Sequence, residues 1–314
     1  KEPKENCADL RTKGWELSLN WNDSFALMGK RFNYTVSASL GDNKTVITKY
    51  NNPEKLLTDY YEGMVLGEIW GYRVDGLFTS DEEATEYTSK INQDFVNARI
   101  LSDKVDPYYR AGDLKFRDLD NNNVINKGDD TVYDPGDREI IGNETPRYNY
   151  SFRLGADWNG FDLGIFFQGV GKRDWYPNHL STGFWGPYSR AFTSFIPENF
   201  MDQCWSEENP GGYFPRFRGY QTFKDSQLGV NNDRYLQNAS YIRLKNLTVG
   251  YTLPVLKKVF TKLRVYFTGE NLWYWSPMKK YTKYIDPEAA GGNGNTGMAY
   301  NYSRNFSVGV DITF

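Results

Sequence analysis

Apolar and polar residues alternate strictly over about ten positions, stop at a two-residue turn, and alternate again on the return, which leaves few possible folds. In residues 147–159 the apolar positions are Tyr148, Tyr150, Phe152, Leu154, Ala156 and Trp158, while Arg147, Asn149, Ser151, Arg153 and Asp157 lie between them. Asn159-Gly160 follows, the dipeptide that best tolerates positive φ in a tight hairpin, and Phe161, Leu163, Ile165 and Phe167 lead back. A period of two puts each set on one face of an extended strand. The pattern recurs in Trp15, Leu17, Leu19 and Trp21, in Leu263, Val265 and Phe267, and in Phe306, Val308, Val310, Ile312 and Phe314.

Other segments are less regular. Residues 241–252 change phase between Leu244 and Leu247, which predicts a bulge near Lys245 and Asn246. Residues 25–40 mix phases, and residues 64–78 read as a strand interrupted by Gly67, Gly71 and Gly76. Counting both gives roughly eight strands. Short turns are expected at Asn22-Asp23, at Asn159-Gly160 and around Leu256, Lys257, Lys258 and Val259. Long polar stretches over residues 41–60, 79–146, 172–236 and 276–304 would sit at the opposite end.

Two architectures accept such strands: a soluble or surface-exposed carbohydrate-binding β-sandwich, and an outer-membrane barrel. The chain has no apolar run of about 18 residues, so no helix in it can span a bilayer. Its mean hydropathy of -0.69 suggests a soluble protein, but in a barrel only alternate residues face lipid. Three features favour the barrel. The best strands have the length of a tilted membrane crossing. Aromatic residues gather near strand ends, as with Trp15 and Trp21, Tyr148 and Trp158, and Trp273 with Tyr274, where lipid–water interfaces would lie. Finally, Phe314 ends the chain in phase with its apolar face, as the closing strand of a bacterial barrel commonly does.

The expected fold is therefore all-β, an antiparallel transmembrane barrel in the outer membrane of a Gram-negative bacterium, with long extracellular loops. Those loops are too long for a closed eight-stranded barrel, so residues 1–314 are expected to be the carboxyl-terminal part of a larger one. The chain opens on Lys1 without a leader, which is expected of a processed product or a fragment. Net charge is -3, from 37 basic and 40 acidic residues, and offers no footprint for nucleic acid. Cys7 and Cys204 are left open, as a pair or as free thiols.

Several blocks, in order and spanning nearly the whole chain, resemble the SusC/RagA-like family of TonB-dependent outer-membrane transporters. They are Lys13-Gly14-Trp15-Glu16-Leu17-Ser18-Leu19, Gly67-Glu68-Ile69-Trp70-Gly71-Tyr72, Asp75-Gly76-Leu77-Phe78 and Gly112-Asp113-Leu114-Lys115-Phe116. Arg138-Glu139-Ile140-Ile141-Gly142-Asn143, Pro146-Arg147-Tyr148, the run from Gln237 to Leu247, Gly250-Tyr251-Thr252-Leu253-Pro254 and Gly269-Glu270-Asn271-Leu272-Trp273 follow. The resemblance implies a barrel of twenty-two strands around an amino-terminal plug, importing glycans or peptides with energy from the TonB complex. It also implies a SusD-like surface lipoprotein as a lid. The plug, the TonB-contacting segment and most strands are not among these residues, so partners would include the remaining barrel and plug segments.

Two local motifs are candidate sites. Asp118, Asp120, Asn122, Asn126 and Asp129, with the carbonyl of Val124, have the spacing of a twelve-residue Ca²⁺ loop. Asn123 stands where glycine is usual, and asparagine tolerates the left-handed conformation needed there. The alternative is a solvated Asx-rich turn; a bound Ca²⁺ would be structural. The other is an aromatic loop over residues 172–220, with Trp175, Tyr176, Trp185, Tyr188 and Trp205 as candidate ligand-binding side chains, along with Phe192, Phe195, Tyr213 and Phe214. Exposed rings could stack on sugars or grip a partner, and buried rings would pack the loop on itself. Inward charges such as Arg153, Asp157, Arg243, Lys245, Arg264 and Glu270 suit networks along the wall. No catalytic motif accompanies the single histidine, His179, so no enzyme is expected.

Overall fold

The computed structural model describes residues 7–190, 196–218, 223, 226–254, 261–291 and 299–314. Seven long strands form one antiparallel sheet: β1 (Ala8–Leu27), β2 (Lys30–Tyr50), β3 (Arg147–Trp158), β4 (Phe161–Lys172), β5 (Tyr241–Leu253), β6 (Lys262–Trp275) and β7 (Asn305–Thr313). They are hydrogen-bonded in chain order, each to its neighbours in sequence. The β1–β2, β3–β4 and β5–β6 connections are short, and long excursions link β2 to β3, β4 to β5 and β6 to β7. All the long connections therefore leave from the same end of the sheet.

Register turns the alternation into two continuous faces. Leu19, Ala38, Phe152, Phe167, Leu244 and Trp273 form one row across six strands. Phe25, Phe32, Trp158, Phe161, Tyr251, Val265 and Val310 form another across all seven. The opposite face carries Asn22, Thr35, Gly155, Gly164, Thr248, Thr268 and Ser307 in one row. The apolar face is left open: Leu17 is 63% exposed and Val308 76%. Only two-stranded ribbons accompany this sheet among the described residues, so the second layer that a sandwich needs is not there.

The core lies in the loops. Ile69, Tyr72, Leu114, Phe116, Ile125, Trp175, Phe184, Trp185, Phe214 and Tyr235 belong to one buried cluster, most of it outside the sheet. A helix, α1 (Asp81–Lys90), forms within the stretch read above as polar loop. Ser80 caps it by accepting from the Glu83 backbone N–H at 3.1 Å, and Glu83 reaches back to the Thr79 N–H at 2.7 Å.

The structure differs from the sequence reading at the first turn, at residues 41–50, which continue β2 as strand instead of opening a loop, and at residues 64–78. β1 runs through Asn22 and Asp23 to Leu27, and the turn falls at Met28-Gly29, both with positive φ. The Thr35 hydroxyl donates to Asn22 Oδ1 at 2.7 Å, so this apparent turn residue makes a cross-strand pair. Residues 64–78 supply no sheet strand. Glu68–Tyr72 pairs with Arg138–Asn143, and Val74–Leu77 with Leu114–Phe116, in separate ribbons. Gly67 and Gly76 adopt φ of 86° and 132°, which break the run, so the described sheet has seven strands. Cys7 is a free, exposed thiol and Cys204 a free, buried one, whose burial pushes its pKa up. The bulge expected near Lys245 is present as a register shift between Leu244 and Asn246, and the hairpin at Asn159-Gly160 has the expected positive φ at both residues. The turn around Leu256, Lys257, Lys258 and Val259 lies outside the described residues.

Candidate functional site

The polar face of the sheet carries charge networks that join strands and loops. Arg243 is 1% exposed and pairs with Asp286 from the segment after β6, while Lys245 binds Glu288 at 2.8 Å. The Tyr274 and Tyr302 rings lie 4.6 and 5.1 Å from the Arg243 guanidinium. A buried guanidinium is tolerable only when paired, so this cluster fastens the 276–291 segment to the wall. Asp157 accepts from Asn33 at 2.7 Å and Glu270 from Asn305 at 3.1 Å. Most of the inward charges thus serve the wall networks expected of them.

The aromatic candidates are packed inward. Trp175, Trp185 and Tyr188 are 1%, 0% and 0% exposed, and Tyr176 and Trp205 are each 7% exposed. Trp185 meets Phe184, Phe214, Phe223 and Tyr235 at ring-centroid distances from 4.6 to 6.2 Å. Tyr188 donates to the Pro215 carbonyl at 2.6 Å, and the Trp205 ring lies under the Arg216 guanidinium at 5.1 Å. Tyr176 lines a cavity that it shares with Trp70, described below, and the other four offer no open ring face. They pack the loop upon itself because its polar backbone needs a dry apolar anchor to be ordered. Phe192 and Phe195 lie outside the described residues.

The Asp/Asn-rich loop closes around carboxylates. Asp118, Asp120 and Asp137 bring carboxylate oxygens within 4.8 Å of one another. Asp137 is fully buried and accepts from the Leu119 and Asn126 backbone N–H groups, each at 2.8 Å. Burial, and then the charges of Asp120 and Asp118, hold its pKa above the usual carboxylate value. Asn123 takes φ of 64°, the left-handed conformation anticipated for it. Asn122 Oδ1 accepts from the Val124 N–H, Asn126 Nδ2 donates to the Val124 carbonyl, and Asn126 Oδ1 accepts from Gly128. The Asp129 carboxylate is not in the group, whereas Asp137, outside the twelve-residue span, is. Three carboxylates so close suit a hard divalent cation with oxygen ligands. The spacing template missed Asp137 because it lies beyond twelve residues, at the start of the next ribbon.

Arg138, the next residue, connects this loop to a groove. Its guanidinium pairs with Asp130 at 2.6 Å and donates to the Lys127 carbonyl at 2.9 Å. Its backbone pairs with Tyr72, two residues from Trp70. Cavities of about 470 and 300 Å³ lie here, and Trp70, Arg138 and Asn231 line both. Asn231 is held by its Nδ2 donating to the Trp70 carbonyl at 3.2 Å and its own carbonyl accepting from Tyr72 N–H. Trp70 is half-buried, so it combines ring surface with polar neighbours, as a ligand groove does. Trp70 beside Gly71 was the available signal; only folding brings Asn231 to it.

A seven-stranded antiparallel wall with one open apolar face and long connections at one end defines the class: the wall of an outer-membrane-type β-barrel. Within that class the chain is similar to the carboxyl-terminal barrel portion of SusC-like TonB-dependent transporters. It is 27% identical over 335 residues to TonB-dependent receptor P26 of Formosa agariphila, covering 99% of the chain and 30% of the relative. To TonB-dependent receptor SusC of Bacteroides thetaiotaomicron it is 22% identical over 321 residues, covering 99% and 27%. The solved RagAB peptide transporter superposes with a TM-score of 0.63 at 21% identity, covering 99% of this chain and 30% of that one. The chain therefore spans about 30% of the length of the curated relatives it matches first. No protein-family model matches it.

Proposed function

We propose that the protein to which this chain belongs imports glycans or peptides through the outer membrane of a Gram-negative bacterium, driven by the TonB complex. The observation that carries this reading is the continuous apolar face, unpacked across seven strands and backed by a polar face. Such a face is stable in lipid, where every backbone group is paired within the wall and alternate side chains meet hydrocarbon. The names of relatives support transport: one is the receptor SusC, and a similar fold serves a peptide transporter.

In this reading β7 is the closing strand and pairs with a first strand elsewhere in the polypeptide, while the polar face surrounds a plug. The loop layer at the opposite end from the hairpin turns faces outward and meets a SusD-like lipoprotein. Trp175, Tyr176, Trp185, Tyr188 and Trp205 shape that layer from within, and ligand contact passes to the groove at Trp70. Ca²⁺ is held by Asp118, Asp120 and Asp137, in a loop shaped by the hydrogen bonds of Asn122, Val124 and Asn126, and keeps the loop under Arg138 ordered. We assign the chain no catalytic step.

The test is deletion of the complete transporter from its host, with growth measured on single glycans and peptides as carbon source. Loss of growth on one nutrient, restored by the gene in trans, is the expected result. Unchanged growth and unchanged uptake on every nutrient that the parent strain uses would refute the reading.

A further inference from the structure

A smaller cavity lies where two loop segments meet, away from Trp70. Its volume is about 240 Å³, and Phe184, Phe200, Asn199, Gln203, Lys280 and Lys283 are among its lining residues. That volume is below the range of whole drug-sized ligands, so it suits one residue of a longer chain.

Its walls are anchored. Met278 is 2% exposed and accepts from the Thr282 hydroxyl at 2.7 Å. Tyr281 stacks on Tyr213 with centroids 3.5 Å apart and planes 4° from parallel. Beyond the pocket, Ile285 is 3% exposed and Asp286 pairs with Arg243 on the barrel wall. Phe184 and Phe200, both buried, fix the facing side. The segment that bears the lysines is thus held at both ends, and the Lys280 ammonium lies 4.8 Å from the Tyr281 ring centroid at the cavity wall.

The charges themselves are unbalanced. Lys279, their neighbour, turns away and donates to the Tyr274 carbonyl at 2.6 Å. Lys280 and Lys283, like most of the described lysines, form no ion pair among the described residues. Among the described residues no carboxylate lines the cavity, and Glu198 and Asp202, which lie near Asn199 and Gln203 in sequence, pair with neither lysine. Two ammonium groups sharing a concave site raise its potential and draw in an anion. Asn199 and Gln203 add amide donors, and the aromatic rings supply an apolar floor for the body of the residue that carries the anion.

We propose that this cavity is a subsite for a carboxylate-bearing residue of the transported oligomer, with Lys280 and Lys283 as its charge contacts. The proposal deepens the import reading and rests on it in taking the oligomer to be transported. The anion site itself does not depend on transport.

The test uses the intact transporter in detergent and pyridoxal 5′-phosphate, an anionic aldehyde that condenses with an amine, losing water. Borohydride then reduces the imine, and peptide mapping locates the label. Lys280 and Lys283 should be labelled roughly tenfold faster than the exposed Lys13 and Lys44, and an oligogalacturonate or an oligoglutamate should protect them. Protection by the sugar acid alone assigns an acidic glycan, and by the peptide alone an acidic peptide. Equal labelling of all four lysines overturns the proposal. So does protection by neither oligomer, or equal protection by a neutral oligosaccharide or by inorganic phosphate. In cells, the K280Q/K283Q double variant should lose uptake of the protecting oligomer while reaching the membrane at normal levels. If the unaltered transporter imports nothing, the import reading fails while the labelling result still decides the anion site.

Discussion

Arg264 reaches across Gly250 to hold Asp162: its Nε and Nη2 lie 2.8 and 2.6 Å from the two carboxylate oxygens. The third guanidinium nitrogen donates to Asp311 at 2.9 Å. One side chain on β6 therefore ties β4 to β7 over the intervening β5. Only glycine permits the crossing, because a Cβ at position 250 would collide with Asp162 Oδ1 and the guanidinium together. Gly250→Val should break the bidentate pair and cost on the order of 2 kcal/mol, the worth of a charge-assisted hydrogen bond. Loss of heat-modifiable mobility on gels at a lower temperature would show it, and Arg264→Met should reproduce the shift. If Gly250→Val leaves the transition unchanged, the strap contributes nothing.

Val249 and Thr248 are consecutive residues on opposite faces of β5, so one substitution can be placed on each side of the wall. Val249 is 42% exposed within the apolar face, while Thr248 shares a row with Thr268 and Ser307. Val249→Arg should destabilise the membrane-inserted protein by roughly 2–4 kcal/mol, and Thr248→Arg should cost much less. Urea titration of the transporter refolded into lipid vesicles compares them directly. Equal costs would mean that the apolar face does not meet hydrocarbon.

Trp70 should carry ligand affinity without carrying the fold. Its ring is half-buried between two cavities, outside the sheet, so Trp70→Ala leaves the wall's pairing intact. For a central aromatic contact the expected loss is about 2 kcal/mol, or roughly thirtyfold in Kd for whichever nutrient the transporter imports. Trp175→Ala should behave in the reverse way, lowering stability because that ring is buried in the loop core. A Trp70→Ala variant with unchanged affinity would move the ligand elsewhere in the loop layer.

The wall was legible in the sequence because most of its strands obey one local rule, β2 with its mixed phase being the exception. Phe152 and Leu154 declare their face without reference to any neighbour, and a bulge shows up as a slip in phase, as between Leu244 and Leu247. The turn at Met28-Gly29 was hidden by Asn22 and Asp23, whose composition imitates a turn while Asn22 actually pairs across strands. The sites were far less legible. Whether Trp185 faces solvent or Tyr235 depends on contacts between segments fifty residues apart, which no periodicity encodes. Asp137 and Asn231 escaped notice for the same reason, since each joins its site only through a distant partner.

Calcium and pH should act oppositely on the loop around Asp137. Its folded pKa is raised, first by burial and then by Asp120 and Asp118, so ionising it costs the folded state more than the unfolded chain. The ion-free protein therefore has its full stability below the ordinary carboxylate pKa and loses part of it as pH rises through the raised value. A divalent cation reverses the sign, because it binds the ionised carboxylates and competes with their protons. Ca²⁺ affinity should thus climb over the same pH window in which the ion-free loop weakens. Differential scanning fluorimetry from pH 4 to 8, with and without millimolar Ca²⁺, should show curves that diverge as pH rises. Asp137→Asn should remove both the pH dependence and the Ca²⁺ shift. Because Arg138 joins Asp130 of this loop to the ribbon that holds Trp70, it should also weaken nutrient binding at the groove. Parallel curves with and without Ca²⁺ would rule out the metal, and a pH-dependent loss confined to the ion-free protein would confirm Asp137 as its source.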